Sequence, residues 1–251
     1  MGRAAAETMP VMSSTPQTDR RAEWLLDELA YAGRENLDAD HVAQYDAKED
    51  AGAVEEVALC EQVGLGEGST VVELGVGTGQ FALAAAAVCE RVVAVDVSPV
   101  MLKQLRANIE RAGLRNVEVV RAGFLTYEHR GRPADLVYSR FALHHLPDFW
   151  NVVTLARIHR MLRPGGLFRL WDVVYSFEPS QAGERIESWC SQYDIAAEDG
   201  WVRGDVEEHV RDEYSTFSWL IEPMMARCGF AIEDAEYSDD GVFAKYMLRR
   251  S

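Results

Sequence analysis

A glycine-rich segment in the first half of the chain has the residue types and spacing of a ligand-binding loop. The segment ELGVGTGQ occupies residues 73–80, directly after a short apolar run. Glycines at such a turn permit a tight backbone conformation and let a ligand approach it without interference from Cβ atoms. The spacing is GxGxG, so the third glycine of the dinucleotide-binding pattern, which permits close packing around a pyrophosphate, is absent. The loop therefore disfavours NAD and FAD as ligands.

A carboxylate follows this loop where it can reach the same ligand. Asp96 ends the next apolar run, 21 residues after Gly75. An acidic residue at the end of the second strand of such a unit can accept hydrogen bonds from ribose hydroxyls. The sequence therefore predicts a ligand that contains a ribose and need not contain a diphosphate.

The pattern of apolar residues predicts the strands and helices that position the loop and Asp96. Short apolar strands alternate with helices from residue 70 to residue 174, and the strands are apolar almost throughout. Such strands are typical of a parallel sheet that helices cover on both faces. Two further strands, near 230–237 and 242–248, flank the hairpin signal Asp239-Asp240-Gly241 and predict one antiparallel edge. The carboxyl ends of the parallel strands then form the ligand-binding edge.

The segment ahead of this pattern is expected to contain a tail and two helices. Residues 1–18 are rich in Ala, Met, Ser, Thr and Pro without a period, which predicts a disordered tail. Asp19 is expected to cap a helix with one apolar face, formed by Trp24, Leu25, Leu26 and Leu29. A second helix is expected over 51–63, ended by a glycine-rich turn.

Composition limits the partners of the chain. Its 251 residues carry a net charge of −16, which disfavours a nucleic-acid partner because phosphate backbones are repelled. Segment 176–240 holds 17 acidic and 4 basic residues, which indicates either a solvated acidic surface or a substrate entrance that favours cations. No apolar run is long enough to span a membrane, and the start has no secretory pattern, so we expect no membrane partner and a cytoplasmic location. The four cysteines contain no CxxC pair, which indicates reduced thiols rather than a zinc site.

Four motifs in order resemble those of class I S-adenosylmethionine-dependent methyltransferases, most closely the ubiquinone- and menaquinone-biosynthesis-like group that acts on small molecules. They are the glycine loop, the second-strand segment VAVDVS at 93–98, the segments DLVYS at 135–139 and LHHLPD at 143–148, and RMLRPGG at 160–166. The resemblance implies a Rossmann-like α/β fold with seven strands in the order 3-2-1-4-5-7-6, strand 7 being antiparallel. It further implies one domain over 19–251, in which residues 176–228, called the cap below, form a helical cover for the substrate.

The resemblance also implies a cofactor, S-adenosyl-L-methionine, and the residues that bind it. Glu73 would hold the methionine ammonium, Asp96 both ribose hydroxyls, and Val97 with Met101 one wall for the adenine. The full set of implied cofactor contacts is Tyr45, Glu73, Gly75, Gly77, Thr78, Gly79, Gln80, Asp96, Val97, Met101, Gly123, Phe124, Arg140 and Phe141. The family often has an acidic residue after strand three, whereas this chain reads Arg-Ala-Gly-Phe at 121–124. We therefore expect backbone groups at Gly123 and Phe124 to contact the adenine.

Three residues are candidates for catalysis. His144 and His145 follow strand four and Asp172 follows strand five, at the sheet edge where a substrate pocket opens. A histidine can deprotonate an acceptor hydroxyl or amine, and Asp172 can bind a substrate ammonium or act as a base. Each also has a structural interpretation, as a packed loop histidine or a loop-bonding carboxylate. No metal is expected, because a sulfonium methyl group is already activated for in-line displacement.

The expected function is methyl transfer to a small-molecule acceptor without a metal. Two alternatives stay open at the level of sequence. One is an RNA or protein methyltransferase, which the net charge and the absence of an Asn-Pro-Pro-Tyr-type motif after strand four disfavour. The other is a cofactor-binding protein without catalysis, which the motifs alone do not distinguish from an enzyme.

Overall fold

The computed structural model describes residues 22–34, 36–39, 41–42, 52–194 and 201–251. The predicted tail, residues 1–18, and the predicted cofactor contact Tyr45 lie outside the described residues.

The eight strands of the described residues are β1 Thr70–Leu74, β2 Arg91–Asp96, β3 Val117–Arg121, β4 Ala134–Arg140, β5 Leu162–Tyr175, β6 Thr216–Phe217, β7 Phe230–Tyr237 and β8 Phe243–Arg250. The seven longer helices of these residues are α1 Ala53–Gln62, α2 Gln80–Ala86, α3 Pro99–Ala112, α4 Asp148–Met161, α5 Ala182–Ser191, α6 Arg203–Asp212 and α7 Ser218–Arg227. Short 3-10 helices span Leu143–His145 and Pro179–Gln181. None of the helices described is long and apolar enough to cross a membrane.

The predicted sheet order is confirmed. The strands lie in the order β3-β2-β1-β4-β5-β8-β7, and β8 is antiparallel to both of its neighbours. The two-residue strand β6 pairs only with the end of β5. If β6 is left out and the last two strands are counted as 6 and 7, this order is the predicted 3-2-1-4-5-7-6. The sequence did not predict β6, because a two-residue strand has no alternating pattern.

Helices cover both faces of the sheet, as the apolar strands require. Every residue of β1 is buried. Val71 packs into a cluster with residues of α1, α2 and α3, whereas Val72 packs into a second cluster with residues of α4 and α7. Successive side chains of a strand point to opposite faces, so both faces of a doubly covered strand must be apolar.

The predicted helix that carries Trp24, Leu25, Leu26 and Leu29 is wrong. Residues 23–32 form turns, in which the amides of Leu25, Tyr31 and Ala32 donate to carbonyls three residues earlier. Trp24 stacks on Trp150 of α4, with ring centroids 6.2 Å apart. Tertiary contacts with the sheet domain therefore replace the regular apolar face that the spacing suggested.

The pairing of β1 with β2 brings the glycine loop beside Asp96. Leu74 is in register with Val95, and the amides of Gly75 and Val76 both donate to the Val95 carbonyl, at 2.9 and 3.0 Å. Ser98 is the N-cap of helix α3, and its Oγ accepts a hydrogen bond from the Met101 amide at 3.1 Å. This N-cap fixes where α3 begins, shortly after Asp96 and beside the loop.

Candidate functional site

The three glycines of the loop all adopt left-handed backbone conformations. Their φ angles are 75° at Gly75, 54° at Gly77 and 92° at Gly79. A Cβ atom at Gly75 would lie 2.3 Å from the Ala142 Cβ, and one at Gly79 would lie 2.2 Å from Leu105 Cδ1. The backbone conformation thus favours glycine at all three positions, and the close approach of neighbours adds to this at Gly75 and Gly79.

Asp96 holds the loop by its carboxylate. Oδ2 accepts a hydrogen bond from the Gly77 amide at 2.9 Å, and Oδ1 accepts one from the Ser98 amide at 2.8 Å. Burial raises the pKa of Asp96, and the hydrogen bonds from Ser98 and Gly77 oppose that rise. The carboxylate therefore lies at the loop, buried but with its charged form stabilised by backbone donors.

Glu73 is a buried acid near the carboxyl end of β1. Burial raises the pKa of its carboxyl well above the usual range, and the negative charge of Asp96 acts in the same direction. Its Oε2 has no hydrogen-bond partner among the residues that the structure describes. A backbone hydrogen bond from Ala82 and the charge of Arg140 oppose this rise of the pKa. A buried carboxyl with one oxygen still available is suited to pairing with a ligand cation.

A small cleft, the loop cleft, lies at the carboxyl ends of β1 and β2 and has a volume of about 80 Å³. Nine of the predicted cofactor contacts line it: Gly75, Gly77, Asp96, Val97, Met101, Gly123, Phe124, Arg140 and Phe141. Four other predicted contacts do not line it: Glu73, Thr78, Gly79 and Gln80. Gly79 instead packs against Leu105 of α3, and the Thr78 carbonyl accepts a hydrogen bond from Asn108, so these two residues shape the loop from behind.

Glu28, which is not among the predicted site residues, also lines the loop cleft, together with Ala32 and Asn36. Glu28 accepts hydrogen bonds from the Leu125 amide at 3.1 Å and from Thr126 Oγ1 at 3.3 Å. A Cβ atom at Gly123 would lie 2.3 Å from Glu28 Oε1, so the glycine makes room for this carboxylate. No sequence signal links Glu28 to Gly123, because the contact joins segments 95 residues apart.

A second and much larger cavity, the cap cavity, adjoins the loop cleft and has a volume of about 1050 Å³. Its floor is formed by residues at the ends of β4, β5 and β8, and its cover by residues of the cap. The Phe, Tyr and Trp residues that line it are Phe141, Trp171, Trp189, Tyr193, Trp201, Tyr237 and Phe243. Other aromatic residues of this region pack the cap, among them Tyr175, Phe177 and Phe217.

Four residues line both the loop cleft and the cap cavity: Asn36, Arg140, Phe141 and His145. Phe141 has a φ of 46°, an unusual backbone conformation for a bulky residue. The Arg140 guanidinium lies 4.5 Å from the ring centroids of both Phe141 and Trp171. The junction of the two cavities is therefore cationic and aromatic.

His144 and Asp172 form a buried pair behind the junction. His144 Nδ1 donates to Asp172 Oδ1, and Asp172 also accepts hydrogen bonds from the amides of Leu143 and Val173. Asp172 is 1% exposed and does not line the cap cavity. The structure thus places the Asp172 carboxylate against His144 and two backbone amides rather than at the cavity surface, and its catalytic role stays a prediction.

His144 and His145 have opposite protonation preferences. Burial lowers the pKa of His144, but the carboxylates of Asp172 and Glu213 outweigh burial and raise it to about 10. Burial and the neighbouring His144 lower the pKa of His145 to about 3. Of the two, only His145 lies at the junction of both cavities, as a neutral ring.

Two further residues of the cap reach the same place and were not predicted. Glu213 lies at the end of α6, with Oε2 3.1 Å from His144 Nε2 and Oε1 3.9 Å from His145 Nδ1. His209, one helical turn earlier, contacts the same Glu213 oxygen through Nδ1. The spacing His-x-x-x-Glu at 209–213 puts both side chains on one helix face and is the signal that could have found them.

Much of the acidic charge of the cap is already paired. Arg203 contacts Glu187 at 2.8 Å, Asp194 at 3.0 Å and Glu207 at 2.7 Å. The described residues ahead of α1, at 22–34, 36–39 and 41–42, are called the N-terminal segment below. Its Arg34 contacts Glu208 at 3.1 Å. The cap is thus an ion-paired surface as well as an acidic one.

The sequence matches known methyltransferases over the segment that holds the glycine loop and Asp96. A family described as a methyltransferase domain matches residues 71–166. A demethylmenaquinone methyltransferase of Listeria monocytogenes is 26% identical over 180 residues, which cover 68% of this chain and 71% of that protein. An uncharacterized methyltransferase of Geobacillus kaustophilus is 25% identical over 171 residues, which cover 67% of this chain and 72% of that protein.

Solved structures share the fold at lower identity. An S-adenosylmethionine-dependent methyltransferase from Mesorhizobium loti superposes with a TM-score of 0.57 at 22% identity, covering 79% of this chain and 99% of that chain. A SAM-dependent methyltransferase from Aquifex aeolicus has a TM-score of 0.57 at 18% identity, covering 84% of this chain and 98% of that chain. The methyltransferase domain at residues 71–166, the relatives named as methyltransferases and the shared fold together support a class I S-adenosylmethionine-dependent methyltransferase.

Proposed function

We propose that this enzyme transfers a methyl group from S-adenosyl-L-methionine to a small-molecule acceptor held in the cap cavity. The observation that carries the proposal is the continuity of two sites of different kinds. The loop cleft has the glycines and the carboxylate suited to a ribose-containing cofactor, and the cap cavity opens from it at Arg140, Phe141 and His145. A reactive group bound between the two sites would face an acceptor directly.

The residues of the loop cleft fit the cofactor that the family uses, which supplies a methyl group on a positively charged sulfur. Asp96 would accept hydrogen bonds from the ribose hydroxyls, and the left-handed glycines would let the ligand lie against the backbone. Glu73 lies outside the lining of the cleft, but its Oε2, which has no hydrogen-bond partner among the described residues, would accept from the ammonium, directly or through water. Met101 and Val97 would form the apolar wall on the adenine side, with Gly123 and Phe124 opposite.

The loop cleft must widen for this cofactor. Its volume of about 80 Å³ is well below the ~300–1,000 Å³ of typical ligand pockets. Glu28, Ala32 and Asn36 line it, and all three belong to the N-terminal segment rather than to the sheet. We therefore infer that this segment shifts outward when the cofactor enters.

The shape and lining of the cap cavity support a small planar acceptor. A covered cavity lined by three tryptophans, Trp171, Trp189 and Trp201, suits an aromatic or cationic molecule better than a polymer. The net charge of −16 disfavours RNA as the acceptor. Relatives of this chain include demethylmenaquinone methyltransferases, whose name indicates a quinone-type acceptor for those proteins.

The transfer itself requires no metal, because the methyl group is already activated by the sulfonium charge. A metal would therefore have a role only on the acceptor side, in holding or deprotonating the acceptor. The four cysteines are free thiols, which supports a reducing compartment such as the cytoplasm as the place of action.

Calorimetric titration with S-adenosylhomocysteine, the demethylated cofactor, tests the cofactor site. Asp96→Ala should weaken binding by about 1–3 kcal/mol, because a charged acceptor for two hydroxyls is lost. Asp234→Asn, an exposed acid on β7, is the matched control and should leave the affinity unchanged. Unchanged affinity in Asp96→Ala would rule out the ribose role.

Incubation with methyl-labelled cofactor and a fractionated metabolite extract tests the acceptor class. We expect label in a low-molecular-weight aromatic or amine fraction, with no label in RNA or protein fractions offered in parallel. Incorporation into RNA or protein alone would contradict the small-molecule assignment.

A further inference from the structure

Three side chains from two separate segments bring metal-binding atoms together at the wall of the cap cavity. His144 lies in the 3-10 helix after β4, and His209 and Glu213 lie one turn apart at the end of α6. One ligand atom from each residue lies within 4.8 Å of the others. Among the described residues, this is the one group of His, Cys, Asp or Glu side chains with such a geometry.

We propose that His144, His209 and Glu213 form a binding site for a divalent transition-metal ion such as zinc or ferrous iron. Metal–nitrogen and metal–oxygen bonds of about 2.0–2.2 Å place neighbouring ligand atoms roughly 3.0–3.5 Å apart. The 3.1 Å between His144 Nε2 and Glu213 Oε2 matches this spacing. Two imidazoles and one carboxylate form a donor set used for catalytic zinc and for non-haem iron.

In each histidine, the ring nitrogen that does not face Glu213 already has a hydrogen-bond partner. Metal-binding histidines commonly have such a partner, which orients the ring. His144 Nδ1 bonds to the buried Asp172, and His209 Nε2 lies 2.8 Å from Ser215 Oγ. These contacts leave His144 Nε2 and His209 Nδ1 directed at Glu213. Such outer partners fix the tautomer and the ring orientation of metal-binding histidines.

The donor set selects against the hard cations. Calcium and magnesium prefer oxygen donors, whereas two nitrogen donors favour first-row transition metals. The Tyr214 amide donates to the His144 carbonyl at 2.8 Å, which ties the end of α6 to the 3-10 helix. The two halves of the site are thus held together by the backbone as well as by the side chains.

Three protein ligands leave coordination positions for a further molecule, and all three residues line the cap cavity. His145 Nδ1, which is buried and has no hydrogen-bond partner among the described residues, lies 3.9 Å from Glu213 Oε1. The ion would hold an oxygen or nitrogen atom of the acceptor close to the junction with the loop cleft. This last role rests on the proposed function, whereas the metal site itself does not.

Direct metal titration of the tag-free protein tests the site. The chain is stripped with a chelator, exchanged into metal-free buffer and titrated calorimetrically with Zn²⁺, then separately with Co²⁺ while the visible absorption is recorded. We expect one ion per chain, and two hyperfine-shifted imidazole N–H signals in the proton NMR spectrum of the Co²⁺ form. The proposal would be overturned if the wild-type chain bound neither one equivalent of Zn²⁺ nor one equivalent of Co²⁺.

Substitutions locate the site. His209→Ala and Glu213→Gln should each weaken Zn²⁺ binding at least ~100-fold, since loss of a ligand should exceed the ~10–100-fold effect of an outer partner. Glu207→Gln, which loses only the Arg203 ion pair, and His159→Ala on α4 are matched controls and should bind as the wild type does. Equal Zn²⁺ affinity in His209→Ala and the wild type would overturn the assignment.

Asp172→Asn tests the positioning role of Asp172. We expect a ~10–100-fold loss of Zn²⁺ affinity and a changed Co²⁺ spectrum, with cofactor affinity retained. If circular dichroism shows that a variant does not fold, the Co²⁺ absorption and NMR spectra of the wild type decide by themselves whether two histidines bind the ion. These measurements need neither cofactor nor acceptor, so their failure is distinct from a failure of the cofactor titration.

Discussion

Arg169 of β5 and Glu56 of α1 form a two-pronged ion pair inside the protein. The Arg169 Nε donates to Glu56 Oε2 at 2.8 Å, and Nη2 donates to Oε1 at 2.9 Å. The side chains are 1% and 6% exposed. Lys245 of β8 lies 3.4 Å from the same carboxylate. The pair attaches α1 to the sheet in an environment where neither charge can be hydrated.

Glu56→Gln should lower the free energy of unfolding by about 3–5 kcal/mol, because it leaves the buried Arg169 charge without its partner. Denaturant unfolding followed by circular dichroism measures the change. Glu61→Gln, an exposed position on the same helix, should change stability by less than about 0.5 kcal/mol. A similar small change in Glu56→Gln would show that the pair contributes little.

The same pair predicts a pH dependence of stability. Burial raises the pKa of Glu56, but the hydrogen bonds and charge of Arg169, with Lys245, outweigh burial and hold the pKa below its ordinary value. The folded form thus binds the Glu56 proton less readily than the unfolded chain. This contribution is present above the unfolded pKa of about 4.3 and is lost as the pH falls through the lower folded pKa.

Unfolding free energies of the wild type and Glu56→Gln should therefore converge as the pH is lowered from 7 into this range. The difference for Glu61→Gln should stay flat, which separates the effect from general acid destabilisation. A wild-type advantage that grew on acidification would contradict the direction of the pKa shift.

Gly79 and Gly113 allow a matched test of close packing in the glycine loop. Both are left-handed, with φ of 92° and 68°. A Cβ atom at Gly79 would lie 2.2 Å from Leu105 Cδ1, whereas one at Gly113 would meet no atom of the described residues within 4 Å. Gly113→Ala should cost about 1 kcal/mol from backbone conformation. Gly79→Ala should cost roughly 3 kcal/mol, since overpacking is added. Thermal unfolding measures both, and equal losses would remove the packing argument.

Gly123→Ala should loosen the N-terminal segment. The new Cβ atom would displace the Glu28 carboxylate and break its hydrogen bonds to Leu125 and Thr126. Loss of about 1.4 kcal/mol of local stability corresponds to roughly tenfold faster trypsin cleavage after the exposed Arg34. Mass spectrometry of the early fragments measures this rate. Gly66→Ala, where a Cβ atom meets nothing within 4 Å, should cleave at the wild-type rate.

Much of the fold could be predicted from the sequence because its signals are local. The alternation of apolar strands and helices that the sequence predicts begins, as expected, at residue 70, and the strand order, including the antiparallel hairpin strand, is confirmed. Apolar runs bounded by glycines and polar turns determine strands, and the connections between parallel strands leave few topologies. The spacing from Gly75 to Asp96 likewise predicted two residues that line one cleft.

The segment at 22–32 shows where local signals fail. Its leucines have helical spacing, yet the chain forms turns, and Trp24 packs on Trp150 rather than on its own helix. A short amphipathic helix has little stability of its own, so contacts with the rest of the domain decide its conformation.

By itself, the sequence determined the sheet, the glycine loop and the identity of the acidic residue that follows it, because each depends on neighbours in the chain. Only the tertiary structure decided that Asp172 is turned away from the cavity toward His144, and that His209 and Glu213, more than 60 residues along the chain, meet the same histidine. Those contacts depend on how the cap docks on the sheet. Docking depends on the packed surfaces of both parts, which no periodicity or spacing in the sequence records.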